Sequence, residues 1–162
     1  MESGRRAVRS GRAKEAVTRK LRVLFVCTGN AARSQMAEAF ARARGGALLD
    51  PWSGGLRPKG IHPLTVRVMS EKAIDLTGQR SKPFYASDAA GADLVVTLCD
   101  GARDQCPALP AGVERRHWPL EDPAAAPESE ALAVFRRVRD EIEARVSALI
   151  AEIRERGAEA GD

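Results

Sequence analysis

Cys27 and Arg33 stand with five residues between them in the stretch CTGNAARS, whose other members are all small or polar. A cysteine thiolate is a nucleophile, and a guanidinium offers paired N–H donors to two oxygens of a tetrahedral anion. Between and beyond them lie Thr28, Gly29, Asn30, Ala31, Ala32 and Ser34. Gly29 lets the backbone curl tightly, and the short side chains of Ala31 and Ala32 leave backbone N–H groups unobstructed. With the Ser34 hydroxyl available to the sulfur, the chemistry that suits this spacing is attack by Cys27 on a bound oxyanion. The bland alternative is a buried cysteine at a strand end and a solvated arginine.

The flanking elements favour the first reading. Leu21 to Val26 (LRVLFV) is a short apolar run of the kind that forms a buried parallel strand. After the small-residue loop, SQMAEAFARARGG has helical spacing, with Met36, Ala39, Phe40 and Ala43 three and four apart and Gly45-Gly46 as the stop. A loop leading from a strand into a helix N-terminus offers unpaired N–H groups and partial positive charge, which suits an oxyanion and favours the thiolate form of Cys27. Further on, Ala47–Trp52 is predicted as a second strand ending in a Ser53-Gly54-Gly55 turn, and Pro63–Ile74 as a helix. Asp93–Leu98 and Val113–Trp118 are predicted strands, with a loop, DGARDQCPALPAG, between them. A long amphipathic helix is predicted from Glu128 to about Glu155, with Phe135, Val138, Ile142, Val146, Leu149 and Ile153 as its seam. Strands alternating with helices predict one α/β domain with a central parallel sheet flanked by helices.

Two more cysteines, Cys99 and Cys106, lie at the end of the third strand and in the loop after it, with six residues between them. Catalytic, redox and metal-binding roles are all open to such thiols, as is a pair of small buried hydrophobes. The spacing lacks the paired CxxC or His partners of a zinc site, and His62 and His117 have no ligand spacing with any cysteine. No metal site is expected. Asp122 precedes Pro123, which biases it toward a loop. On spacing alone it suits a general acid and a surface turn carboxylate equally.

The segment VCTGNAARSQMAEAF resembles the phosphate-binding loop of the low-molecular-weight protein tyrosine phosphatase fold, shared by phosphatases and thioredoxin-coupled arsenate reductases. The resemblance runs through about residues 21–150 and implies a four-stranded sheet. LVVTLC…CP is similar to the redox segment of the reductases, and HWPLEDPA to their acid-bearing segment. What that resemblance implies is a Cys27 nucleophile, Arg33 and the loop from Thr28 to Ser34 as the anion cradle, and Asp122 as general acid. It also implies Cys99 and Cys106 as successive resolving thiols, with arsenate as substrate, reduced thioredoxin as electron source and no bound cofactor. The segment from Cys99 to Pro110 is then expected to move, because Cys99 must meet two partners in turn. Ala124, Ala125 and Ala126 offer no aromatic platform after the Asp-Pro pair, which weighs against an aryl phosphatase. Two departures stand out: Ala32 replaces a further loop cysteine common in the reductases, and Lys82 falls where a potassium-binding Asp occurs in some relatives. Asn30, Glu38 and Ser53 match the other potassium ligands, so Lys82 is expected to stand in for the cation.

Apolar residues make up 44% and charged residues 30%, which excludes a disordered or collagen-like chain, and no run is long enough to span a membrane. A cytoplasmic monomer is expected. The net charge of +4 is unevenly spread: seven of 26 Lys/Arg and two of 22 Asp/Glu fall in residues 1–20, leaving nineteen and twenty for the rest. The basic character therefore belongs to residues 1–20, expected to be a disordered extension ahead of a domain at residues 21–156. That arm has no aromatic residue to stack on bases, so nucleic-acid binding is not expected. The competing readings are a phosphatase with incidental thiols and a non-enzymatic oxyanion-binding regulator.

Overall fold

The structure, a computed structural model, describes residues 19–105 and 109–161. Four parallel strands, β1 (Leu21–Cys27), β2 (Leu49–Gly55), β3 (Leu94–Thr97) and β4 (Glu114–His117), form one sheet in the order β2-β1-β3-β4. Five α-helices are described: α1 (Arg33–Gly45), α2 (Pro63–Ser70), α3 (Ala86–Ala90), α4 (Asp100–Gln105) and α5 (Ala131–Gly161). The parallel α/β sheet expected from the alternation is present.

β1 is buried on both faces from Val23 onward, as a central parallel strand must be. Leu49 packs against Gly45 of α1, while Arg145 of α5 lies over Trp118, which itself meets Phe25. α1 and α5 thus share the sheet face that carries Phe25. Arg22, Leu24, Asp50 and Trp52 line a recess together with Ser87, Asp88 and Ala92 at α3. The seam of α5 is buried from Phe135 through Leu149, with Ile153 packed at its margin. Glu71, just past α2, takes hydrogen bonds from Arg136 and Arg139 and so ties α2 to α5. Among the described residues no helix is long and apolar enough to cross a membrane.

Several boundaries differ from expectation. Ser53-Gly54-Gly55 is not a turn but the end of β2, because the register with β1 continues to Cys27↔Gly55. The glycines are there for close approach: a Cβ on Gly55 would sit 2.8 Å from the Asn30 nitrogen and 2.9 Å from the Thr28 oxygen. Gly55→Ala is therefore expected to cost roughly 1–3 kcal/mol in a urea melt and to lower activity by pushing on the loop at Thr28 and Asn30. An unchanged midpoint would refute the tight approach. The second helix stops at Ser70, four residues early, where Ala73 takes a positive φ and Ile74 N–H folds back on the Met69 carbonyl. α5 starts at Ala131, behind a 3-10 turn at Glu128–Glu130. The third and fourth strands are each one residue shorter at both ends than predicted. Two short helices went unread. α3 is held by the Tyr85 N–H donating to Asp88, and α4 occupies the first part of the predicted loop after Cys99.

Candidate active site

The loop from Cys27 to Ala32 is shaped from outside. The N–H groups of Leu56, Arg57 and Lys59 donate to the carbonyls of Cys27, Thr28 and Gly29 at 3.2, 2.8 and 3.0 Å. The Ala31 carbonyl accepts from the His62 N–H and the Thr65 hydroxyl, that of Asn30 from the Gln35 side chain, and that of Ala32 from the Met36 N–H. Every carbonyl of the loop thus has a donor behind it. Since C=O and the next N–H point oppositely across a trans peptide, the N–H groups of Thr28 through Arg33 are turned to the inside. α1 opens with no side chain capping its first turn, so its free N–H groups extend the same cradle.

Asn30 holds the loop's bend at φ 46° and is fully buried. Its Oδ1 accepts the Lys82 backbone N–H at 2.9 Å, and this fixes the amide orientation. Nδ2 therefore donates, to Ser34 at 2.7 Å and Ser53 at 3.0 Å. With a lone pair of Ser34 Oγ occupied in this way, the hydroxyl proton is free for the Cys27 sulfur 2.8 Å away. Gln35, braced by Gln79, completes the buried network around Asn30.

Arg33 is 7% exposed. One nitrogen donates to the Leu120 carbonyl at 3.1 Å, and another lies 3.8 Å from an Asp122 carboxylate oxygen. The arginine therefore brings the loop after β4, with its half-exposed carboxylate, over the cradle. The other Asp122 oxygen accepts the Ala124 N–H at 3.0 Å, which sets the side chain's orientation. Cys99 caps α4: its Sγ is 3.4 Å from the Ala102 N–H and 3.2 Å from the Thr28 hydroxyl. Pairwise contacts thus join Cys27 to Ser34, Thr28 to Cys99 and Arg33 to Asp122, and Arg33 and Cys99 together line a recess with Asp100, Pro119, Leu120 and Glu121. Cys106 lies outside the described residues.

Behind the loop, Glu38 is buried and accepts from the Ser53 hydroxyl at 2.6 Å, from the Lys82 ammonium at 3.3 Å and from Arg42. Lys82 also lies over the Trp52 ring. Its ammonium meets Glu38 and Ser53 while its backbone N–H meets Asn30, so one residue engages all three side chains expected above to hold a cation. Exchanging sodium for potassium should accordingly change neither the turnover rate nor the melting temperature. A clear rise in either would show that Lys82 does not fill that role. Sequence reasoning missed three features: the Thr28–Cys99 contact, the Gln35–Gln79 brace and the backbone lacing from Leu56 to His62. The lacing carries no side-chain signature. The brace had one faint signal, a glutamine on the inner side of an amphipathic helix.

A buried cysteine ringed by inward N–H groups at the carboxyl end of a parallel strand defines a cysteine-dependent site for a tetrahedral oxyanion. Residues 22–159 match the low molecular weight phosphotyrosine protein phosphatase family, and the chain belongs to it. It is 46% identical over 126 residues to an arsenate reductase of Halalkalibacterium halodurans, covering 76% of this chain and 91% of that one. A solved arsenate reductase in its oxidised state shares 38% identity at a TM-score of 0.69, over 82% of this chain and 98% of that one. A thioredoxin-dependent arsenate reductase of Corynebacterium glutamicum shares 27% at a TM-score of 0.70, over 87% and 69%.

Proposed function

We propose that this chain is an arsenate reductase that reduces arsenate to arsenite through its own thiols, with thioredoxin as the final reductant. The observation that carries the reading is a second thiol, Cys99, set against the anion loop by Thr28. A phosphatase needs one thiol, one arginine and one acid, and has no use for another sulfur there.

The proposed reaction runs in three steps. The inward N–H groups and Arg33 hold arsenate, and the Cys27 thiolate attacks arsenic. Asp122 protonates the departing oxygen, which leaves as water, and an arsenic(V)–sulfur bond remains. Cys99 then attacks the Cys27 sulfur. The arsenic–sulfur bond breaks with its electron pair going to arsenic, so arsenite leaves and a Cys27–Cys99 disulfide forms. Attack by Cys106 on Cys99 releases Cys27 as thiolate and transfers the disulfide to Cys99–Cys106, the form thioredoxin reduces. No bound cofactor or metal enters this scheme. The reading places a monomer in the cytoplasm, where thiols are kept reduced.

The deciding assay couples arsenate to NADPH oxidation through thioredoxin and thioredoxin reductase. Arsenate-dependent oxidation is the expected result. Its absence, together with Cys27-dependent hydrolysis of an aryl phosphate, would make the chain a phosphatase and Cys99 a bystander.

A further inference from the structure

Most charges around the recess are already paired. Arg33 lies 3.8 Å from Asp122, Arg137 2.5 Å from Glu121, and Arg103 3.7 Å from Asp100, which also meets His117. Across the loop the balance is different. Arg57 and Lys59 send their backbone N–H groups to the carbonyls of Thr28 and Gly29, and the Arg80 carbonyl accepts from Gln35, the brace of Asn30. All three residues are exposed, and none of their side chains forms an ion pair among the described residues. Lys59 is placed most closely. Gly29 is a partly exposed position of the loop, and a Cβ there would sit 3.3 Å from Lys59 Cδ and 3.5 Å from its Cγ. The lysine's stem therefore lies against the loop, and its ammonium follows two bonds beyond Cδ.

We propose that Lys59 is a further anion-binding residue, one that draws the doubly charged oxyanion to the loop and raises its affinity without taking part in bond making. The assignment rests on the loop being an oxyanion site, and it follows from where unpaired charge lies. An arriving dianion meets paired carboxylates on the side of Asp100, Glu121 and Asp122, and unpaired cations on the side of Gly29. An exposed charge acts weakly through water, but the anion carries two charges and no carboxylate competes for the lysine. Such an attraction extends about 30 Å at 0.01 M salt and only about 3 Å at 1 M. The backbone cradle and the buried Arg33 act at contact and are screened far less. Sensitivity to salt is thus the signature of Lys59.

The full-length reduced chain is alkylated with iodoacetate, an anion, and with iodoacetamide, its neutral counterpart, and Cys27 is followed by peptide mapping. Lys59→Met keeps the stem against Gly29 and loses only the charge. At low ionic strength it should slow alkylation by iodoacetate roughly two- to fivefold and leave that by iodoacetamide within about 1.5-fold of wild type. Inorganic phosphate should protect Cys27 from iodoacetamide, with a Kd raised about three- to tenfold in Lys59→Met at about 0.02 M ionic strength and less than about twofold at about 0.5 M. Lys59→Arg should match wild type. So should Arg154→Met, the same charge loss near the end of α5 where Arg156 meets Glu114 at the start of β4, away from the loop. With arsenate in the coupled assay, Lys59→Met should raise KM and leave kcat in place. Equal slowing of both reagents, a loss that persists at high salt, or an Arg154→Met that shifts as far would each overturn the assignment. Phosphate that fails to protect wild-type Cys27 would overturn it together with the oxyanion site. A Lys59→Met loss of phosphate protection in a chain without arsenate-dependent turnover would uphold the anion-binding residue and remove the reductase reading.

Discussion

The Cys106→Ser protein should release one arsenite per chain and then stop. In the proposed relay nothing in the first two steps needs Cys106: arsenate binds in the loop, Cys27 attacks, and Cys99 resolves the arsenic–sulfur bond. The block falls on the third step, since no thiol remains to move the disulfide off Cys27. That disulfide lies deep, because Cys27 is 1% and Cys99 8% exposed, so an outside dithiol reaches it poorly. Steady-state NADPH consumption should fall at least about a hundredfold while a burst of one equivalent survives. Cys99→Ser fails one step earlier and should release no arsenite at all. Rapid quenching followed by peptide mapping separates the two, since only the Cys106 variant accumulates a Cys27–Cys99 disulfide. Sustained turnover by Cys106→Ser would remove Cys106 from the mechanism.

The contrast between the three cysteines shows what a sequence can and cannot disclose here. The Cys27–Arg33 spacing was legible because strand, loop and helix are adjacent in the chain, so local pattern fixes local geometry. The seam of α5 was legible for the same reason, as a long period repeated over several turns. What stayed hidden depends on distant partners. Ser53-Gly54-Gly55 has the composition of a turn, and only the register with β1 and the closeness of Asn30 make it a strand. The six residues of α4 are too few to display a period, and they wind because Cys99 caps them and Asp100 finds His117. The extension expected at residues 1–20, up to residue 18, and the resolving thiol expected at Cys106 lie outside the described residues. Lys82 became interpretable only through resemblance, since nothing local marks its ammonium as a neighbour of Glu38.

The second large effect belongs to Arg33. Arg33→Lys keeps the charge and should still lose about two to three orders of magnitude in kcat/KM for arsenate. Two losses combine. The planar fork that grips two anion oxygens becomes a single point charge, and the bond to the Leu120 carbonyl that holds the loop after β4 disappears. Asp122, 3.8 Å from the guanidinium, then has no fixed position over the departing oxygen. This coupling makes a specific demand on a double-mutant cycle. Asp122→Asn alone should slow the first step by about 10²–10⁴-fold, but in the Arg33→Lys background it should add much less, because the acid is already out of place. Fully multiplicative losses would mean that Arg33 and Asp122 act independently. An Arg33→Lys enzyme within about tenfold of wild type would mean that the backbone N–H cradle alone binds and activates the anion. Phosphate, as an unreactive tetrahedral competitor, separates binding from chemistry in the same variants. Its inhibition should weaken sharply with Arg33→Lys and hardly at all with Asp122→Asn, since the carboxylate acts on the leaving oxygen and not on the bound anion's grip.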